Sequence, residues 1–63
     1  MIQLSKNELD ILEAQIQSEQ NLATTFRKYS DDTTDPELKI LYQKISAINQ
    51  NCYNKLLNLL KGE

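Results

Sequence analysis

The 63-residue chain contains no histidine, a single cysteine (Cys52), a single proline (Pro36) and a single glycine, Gly62, one residue from its end. Each shortage excludes something. Without histidine, the common general base and the commonest imidazole metal ligand are missing. With its one glycine at the extreme end, the chain has no Gly-rich phosphate loop, and no serine or cysteine stands beside a base. One cysteine cannot pair within the chain, so there is no disulfide framework; it fits a reducing compartment, and a cytoplasmic setting is the expectation. No apolar run approaches the roughly 20 residues of a membrane span, so no membrane partner is expected. Residues Met1 to Lys6 have no apolar core of a signal peptide. The formal net charge is -2, and no clustered basic surface marks a nucleic-acid footprint. Catalysis is not expected, and no cofactor is implied.

What is present is a polar stretch in the middle, Ser30-Asp31-Asp32-Thr33-Thr34-Asp35-Pro36-Glu37, with a helical pattern on each side. The threonines are poor helix formers, and Asp31 and Asp32 tend to bond to local backbone. Asp35-Pro36-Glu37 reads as a helix start: Asp35 can cap free amides, and Pro36 suits the first helical position. A linker of about six residues suits antiparallel neighbours. The chain therefore reads as one domain, 1–63, an all-α antiparallel hairpin with helices at about 6–29 and 36–61.

Ser5-Lys6-Asn7-Glu8 is a capping box, flanked by Leu4 and Leu9 at the spacing of a hydrophobic staple. Beyond it, Leu9, Leu12, Ile16, Ala23 and Phe26 form a seam at intervals of three and four, with Glu19 in place of the missing member. Ile11, Leu22 and Tyr29 widen this face to an arc of about 160° at 100° per residue. In the second helix Leu38, Leu41, Tyr42, Ile45, Ile48, Cys52, Tyr53, Leu56, Leu59 and Leu60 span about 140°, with Asn49 inside the arc and Gly62 as the stop. One neighbour needs a stripe of only about 100°. Two such helices cannot cover each other, and a chain this short is marginal alone. Two hairpins packed face to face give every helix two neighbours: a homodimeric antiparallel four-helix bundle. Ile11, Leu12, Ile16, Leu22, Phe26, Leu41, Ile45, Ile48 and Leu56 are the expected interface.

Folding the hairpin with Phe26 level with Leu41 places Glu19 beside Ile48 and Asn49, and Ile16 near Cys52. Glu19, Asn49 and Cys52 thus form one polar layer in an apolar interior. The simplest role for Glu19 is a structural residue bonded to Asn49, Gln15 or a tyrosine, fixing register or pairing. The alternative is a residual metal ligand or proton acceptor. Asn49 is its simplest partner, or a register-setting residue as in coiled coils. Cys52 packs as a small hydrophobe or serves as a thiolate ligand or redox switch. Lys39, Lys44, Lys55 and Lys61 form a solvated face that could dock an acidic partner.

Several pieces of the chain occur together in an order that resembles the spore coat F domain, a ferritin-like group of helical hairpins from spore-forming bacteria. They are Leu9-Asp10-Ile11-Leu12-Glu13, Glu19 in mid-helix, Arg27-Lys28-Tyr29 before the turn, Asp35-Pro36-Glu37-Leu38-Lys39 after it, and Tyr53-Asn54-Lys55-Leu56-Leu57. The resemblance implies a hairpin that pairs into a ferritin-like bundle with a structural role in the spore coat or sporulating cell, alongside other coat or helical proteins. Such relatives often carry Glu-x-x-His before the tyrosine of the second helix; this chain has Asn49 and Cys52 there. The expected function is that of a non-enzymatic structural or interaction protein. The alternatives are a degenerate metal-binding protein centred on Glu19, or a small adapter whose hairpin docks a larger helical partner.

Overall fold

A computed structural model describes residues 4–62. It contains two helices, α1 over Lys6–Asp32 and α2 over Pro36–Leu60, packed against each other as a hairpin. Both helix starts follow local chemistry. The Ser5 hydroxyl accepts the amide of Glu8 at 3.2 Å, and the Glu8 carboxylate accepts the amide of Ser5 at 3.1 Å, which closes the capping box. Asp35 caps α2 by accepting the amides of Glu37 and Leu38 at 2.9 and 3.2 Å, with Pro36 in the first turn. Leu4 and Leu9 are half-buried.

The turn is tighter than the sequence pattern suggests. α1 does not stop at Tyr29 but runs one turn further to Asp32, leaving Thr33–Asp35 as the connection. The extra turn is held from both sides. The Ser30 hydroxyl donates back to the Arg27 carbonyl at 2.8 Å, and the Lys39 ammonium donates to the Ser30 carbonyl at 2.9 Å. That second bond satisfies a carbonyl that the helix end leaves free and sets a cation against the negative end of the dipole. The amide of Thr33 closes the last turn on Tyr29. At the other end α2 stops at Leu60, one residue early. Lys61 is its cap, and Gly62 follows with φ of 79°, a left-handed conformation that glycine adopts without strain.

The face that α1 turns to α2 follows a strict alternation of threes and fours: Leu9, Leu12, Ile16, Glu19, Ala23, Phe26 and Ser30 are buried or half-buried, and the half-buried cap residue Thr33 continues the spacing. The answering line on α2 runs through Tyr42, Ser46, Asn49, Tyr53, Leu56 and Leu60. The helices come closest at the small residues. Ala23 is 2 % exposed, and the buried Ser46 hydroxyl donates to the Ala23 carbonyl at 2.8 Å, a bond that spans the two helices. Toward the turn, Phe26, Tyr29 and Tyr42 form a cluster with ring centroids 5.6–6.0 Å apart, Phe26 and Tyr29 edge to face. Among the described residues no large side chain is fully buried, and Ala23 is the one buried hydrophobic residue. Each helix therefore covers only one edge of the other's apolar arc. Among the described residues, no helix is long and apolar enough to cross a membrane.

Candidate functional site

The uncovered edges of the two arcs lie on the same side of the hairpin. On α1, Ile11, Leu22 and Tyr29 are exposed and fall within about 20° of one line at 100° per residue. On α2, the exposed Leu41 and Ile48 share a stripe with the half-buried Ile45, Cys52 and Leu59. The two stripes meet at both ends. Near the turn, Tyr29 touches Tyr42 across the helices. At the open end, Ile11 and Leu12 line a shallow apolar groove of about 340 Å³ together with Leu4, Leu56 and Leu59. The most exposed members are Ile11 at 70 % and Ile48 at 62 %. The opposite face is polar: a depression near the turn is lined by Arg27, Asp31, Gln43 and Gln50 over a floor of Ser30 and Ser46. The hairpin thus has an apolar front and a polar back.

At the level between groove and aromatic cluster sits the polar layer. Asn49 donates from Nδ2 to Glu19 Oε2 at 2.9 Å, and Gln15 donates from Nε2 to Glu19 Oε1 at 3.1 Å. Both carboxylate oxygens of Glu19 therefore accept an amide. Local geometry supplies the first contact, since Gln15 is one turn before Glu19 on α1. The hairpin supplies the second, from thirty residues away. The Asn49 Oδ1 atom is buried and has no hydrogen-bond partner among the described residues. A buried acceptor without a donor is costly. Its orientation is nonetheless fixed, because exchanging the two ends of the amide would set oxygen against carboxylate.

The structure sorts the residues singled out in the sequence into two groups. Leu12, Ile16, Phe26, Ile45 and Leu56 are half-buried, together with the polar layer residues Glu19, Asn49 and Cys52. Ile11, Leu22, Leu41 and Ile48 stand exposed on the front. Glu19 and Asn49 are brought into direct contact, whereas Cys52 is a free thiol nearer the open end. The donor set does not fit a ferritin-like metal centre. Among the described residues, no three cysteine, aspartate or glutamate side chains form a group that could hold an ion, and both oxygens of Glu19 are engaged by amides.

Ser30, Ser46 and Lys39 have roles that the apolar pattern does not single out. The first two do complete the alternation of threes and fours, and their hydroxyls become compatible with burial by bonding to main-chain carbonyls. The clasp from Lys39 to Ser30 depends on the path of the turn and has no signal in the sequence. Comparison with protein-family models, with curated proteins and with solved structures finds no match for the chain.

Proposed function

We propose that this hairpin is half of a homodimeric, ferritin-like four-helix bundle, and that its role is structural rather than enzymatic. The observation that supports this most directly is the apolar front, on which Ile11, Leu22, Tyr29, Leu41 and Ile48 stand in water on one side of the molecule. Contiguous exposed apolar surface on a small domain marks an interaction site. A second hairpin laid on that face gives each helix its second neighbour and removes the stripes from water. The Glu19–Asn49 layer then serves as the polar element that fixes how the helices are registered. The setting follows the resemblance in the sequence: a component of the spore coat or of the sporulating cell.

Sedimentation equilibrium of the untagged protein, under reducing conditions and across a wide concentration range, tests this reading. The expected result is a helical dimer. A helical monomer at all concentrations overturns it and assigns the apolar front to a different, larger helical partner, making the chain an adapter.

A further inference from the structure

The two ends of the apolar front are unlike, and this difference specifies how a second copy would sit. On the reading that the front pairs with itself, we infer that the two hairpins pack with their turns at opposite ends, the aromatic cluster of each filling the groove of the other. Two orientations are open to a symmetric pair of hairpins. In one, the two-fold axis runs along the helices and the turns lie side by side. In the other, it crosses the helices and the turns lie at opposite ends. Both give a bundle in which every neighbour is antiparallel.

The occupant is a second copy because the face has the size that a pair needs. Between Cα extremes the hairpin measures 46 × 18 × 11 Å, so its whole broad side, apolar stripes and polar rim together, spans about 800 Å². A standard-sized stable interface takes about 800 Å² from each partner.

The orientation follows from shape. Near the turn the front carries the exposed Tyr29 ring, backed by the half-buried rings of Phe26 and Tyr42 that pack against it. At the open end it is hollowed by the groove of about 340 Å³ along Ile11, Leu12, Leu56 and Leu59. With the turns side by side, cluster would meet cluster and groove would meet groove. The rings would hold the faces apart, and two apolar hollows would be left between them. Such cavities are penalised in proportion to their volume. With the turns opposed, each end of the bundle receives one cluster and one groove.

The spacing along the helices fits the second arrangement. Glu19 is the midpoint of α1 and Ile48 the midpoint of α2. Phe26 and Leu12 each lie seven residues from Glu19, on either side of it. At 1.5 Å per residue, that places cluster and groove about 10 Å from the centre in opposite directions. A two-fold axis across the middle of the front therefore carries one onto the level of the other. The same axis brings the two Glu19–Asn49 layers together at the centre, so that sliding by one helical turn, about 5.4 Å, would press each Glu19 against an apolar level.

Nitroxide labels at single cysteines, read by pulsed dipolar spectroscopy, test this inference. The labels go at Thr34 in the turn and at Gln20 near the midpoint, both exposed and each placed in a Cys52→Ser background. Gln20 lies about 180° round α1 from Ile11 and Tyr29 at 100° per residue, so its labels face outward from opposite sides of the bundle. The expected result is an intermolecular distance of two to three helix diameters, about 20–35 Å, between Gln20 labels. A longer one is expected between Thr34 labels, comparable to the 46 Å length of the hairpin. A Thr34 distance within two helix diameters, about 20–25 Å, with an intermolecular distance still present at Gln20, would overturn the opposed arrangement while leaving the dimer intact. No intermolecular distance at either position, with monomer mass in the ultracentrifuge, would remove the pairing itself.

Discussion

Ile48 offers the sharpest test of the pairing face. It sits at the midpoint of α2 and is 62 % exposed in the hairpin, so its truncation should barely disturb a single copy. Exposed substitutions of this kind usually stay within about 0.5 kcal/mol. In the bundle the same side chain lies in the contact. Complete burial of an isoleucine contributes about 1.5–3 kcal/mol, so the exposed share is worth about 1–2 kcal/mol. Ile48→Ala loses most of this in both copies at once, about 2–4 kcal/mol for the dimer, a weakening of Kd by about 30- to 1,000-fold. Ile40→Ala is the control. Ile40 is 53 % exposed but lies outside the apolar arc, about 80° further round α2, and its truncation should leave Kd unchanged. Sedimentation equilibrium of the three proteins measures the effect. If Ile48→Ala and Ile40→Ala both stay within about threefold of the parent, the front does not carry the pairing, whatever the oligomeric state.

Further outcomes are expected at the polar layer, at Ala23 and at Glu8. Asn49→Ala removes the amide donor that Glu19 accepts at 2.9 Å; hydrogen bonds to charged groups are worth about 1.5–3 kcal/mol, and urea unfolding at fixed protein concentration should show a loss of that size. Replacing Glu19 and Asn49 together by leucine should recover much of it, since neither a carboxylate nor an orphaned acceptor then remains. Ala23→Leu inserts bulk where the helices are closest and threatens the bond from Ser46, so it should cost about 1–3 kcal/mol or more, seen as a lower thermal midpoint. Glu8 responds to pH: hydrogen bonds from the Ser5 amide and then the Ser5 side chain hold its carboxyl below the ordinary value. The unfolded chain therefore takes up that proton at higher pH than the folded one. The cap contributes fully above the unfolded value and is lost as pH falls through the lowered folded value. An NMR titration of the Ser5 amide should follow this loss, and Glu8→Gln should flatten it.

The helix starts were legible because their chemistry is local. Ser5 with Glu8, and Asp35 with Pro36, need nothing beyond three or four residues of context. The end of α1 was not legible for the opposite reason. Ser30, Asp31 and Asp32 are unpersuasive helix residues on their own, and the bond that keeps them helical comes from Lys39, nine residues on. The contact of Glu19 with Asn49 could be placed by counting turns back from the linker, even though that linker proved three residues long instead of about six. The count survived because the alternation of threes and fours fixed the level independently of where α1 ended. Breadth of the apolar arcs pointed to surface left over after hairpin formation. The seam of α1, Ala23 included, was legible, but the pattern did not reveal which edge α2 would spend on its neighbour, nor that the buried positions beside Ala23 would be the small polar residues Ser30 and Ser46. Those choices depend on how closely the two backbones approach, a property of both helices together.

The three-residue connection and the Lys39 clasp also shape the route by which the chain folds. Contacts beside the turn join residues only a few positions apart, whereas those at the open end, such as Leu12 with Leu56, close a loop of more than forty residues. Closing the nearer pairs first costs the least chain entropy. The hairpin should therefore zip from Lys39 and Ser30 toward the open end, with the apolar groove the last part to form and the first to open. Amide hydrogen exchange would show this as protection that declines along α2 from Ser46 to Leu60 and along α1 from Ala23 back to Leu9. If the turns lie at opposite ends of the bundle, the firm end of each copy rests on the loose end of the other. Association would then protect most strongly the stretch that each hairpin holds least well alone.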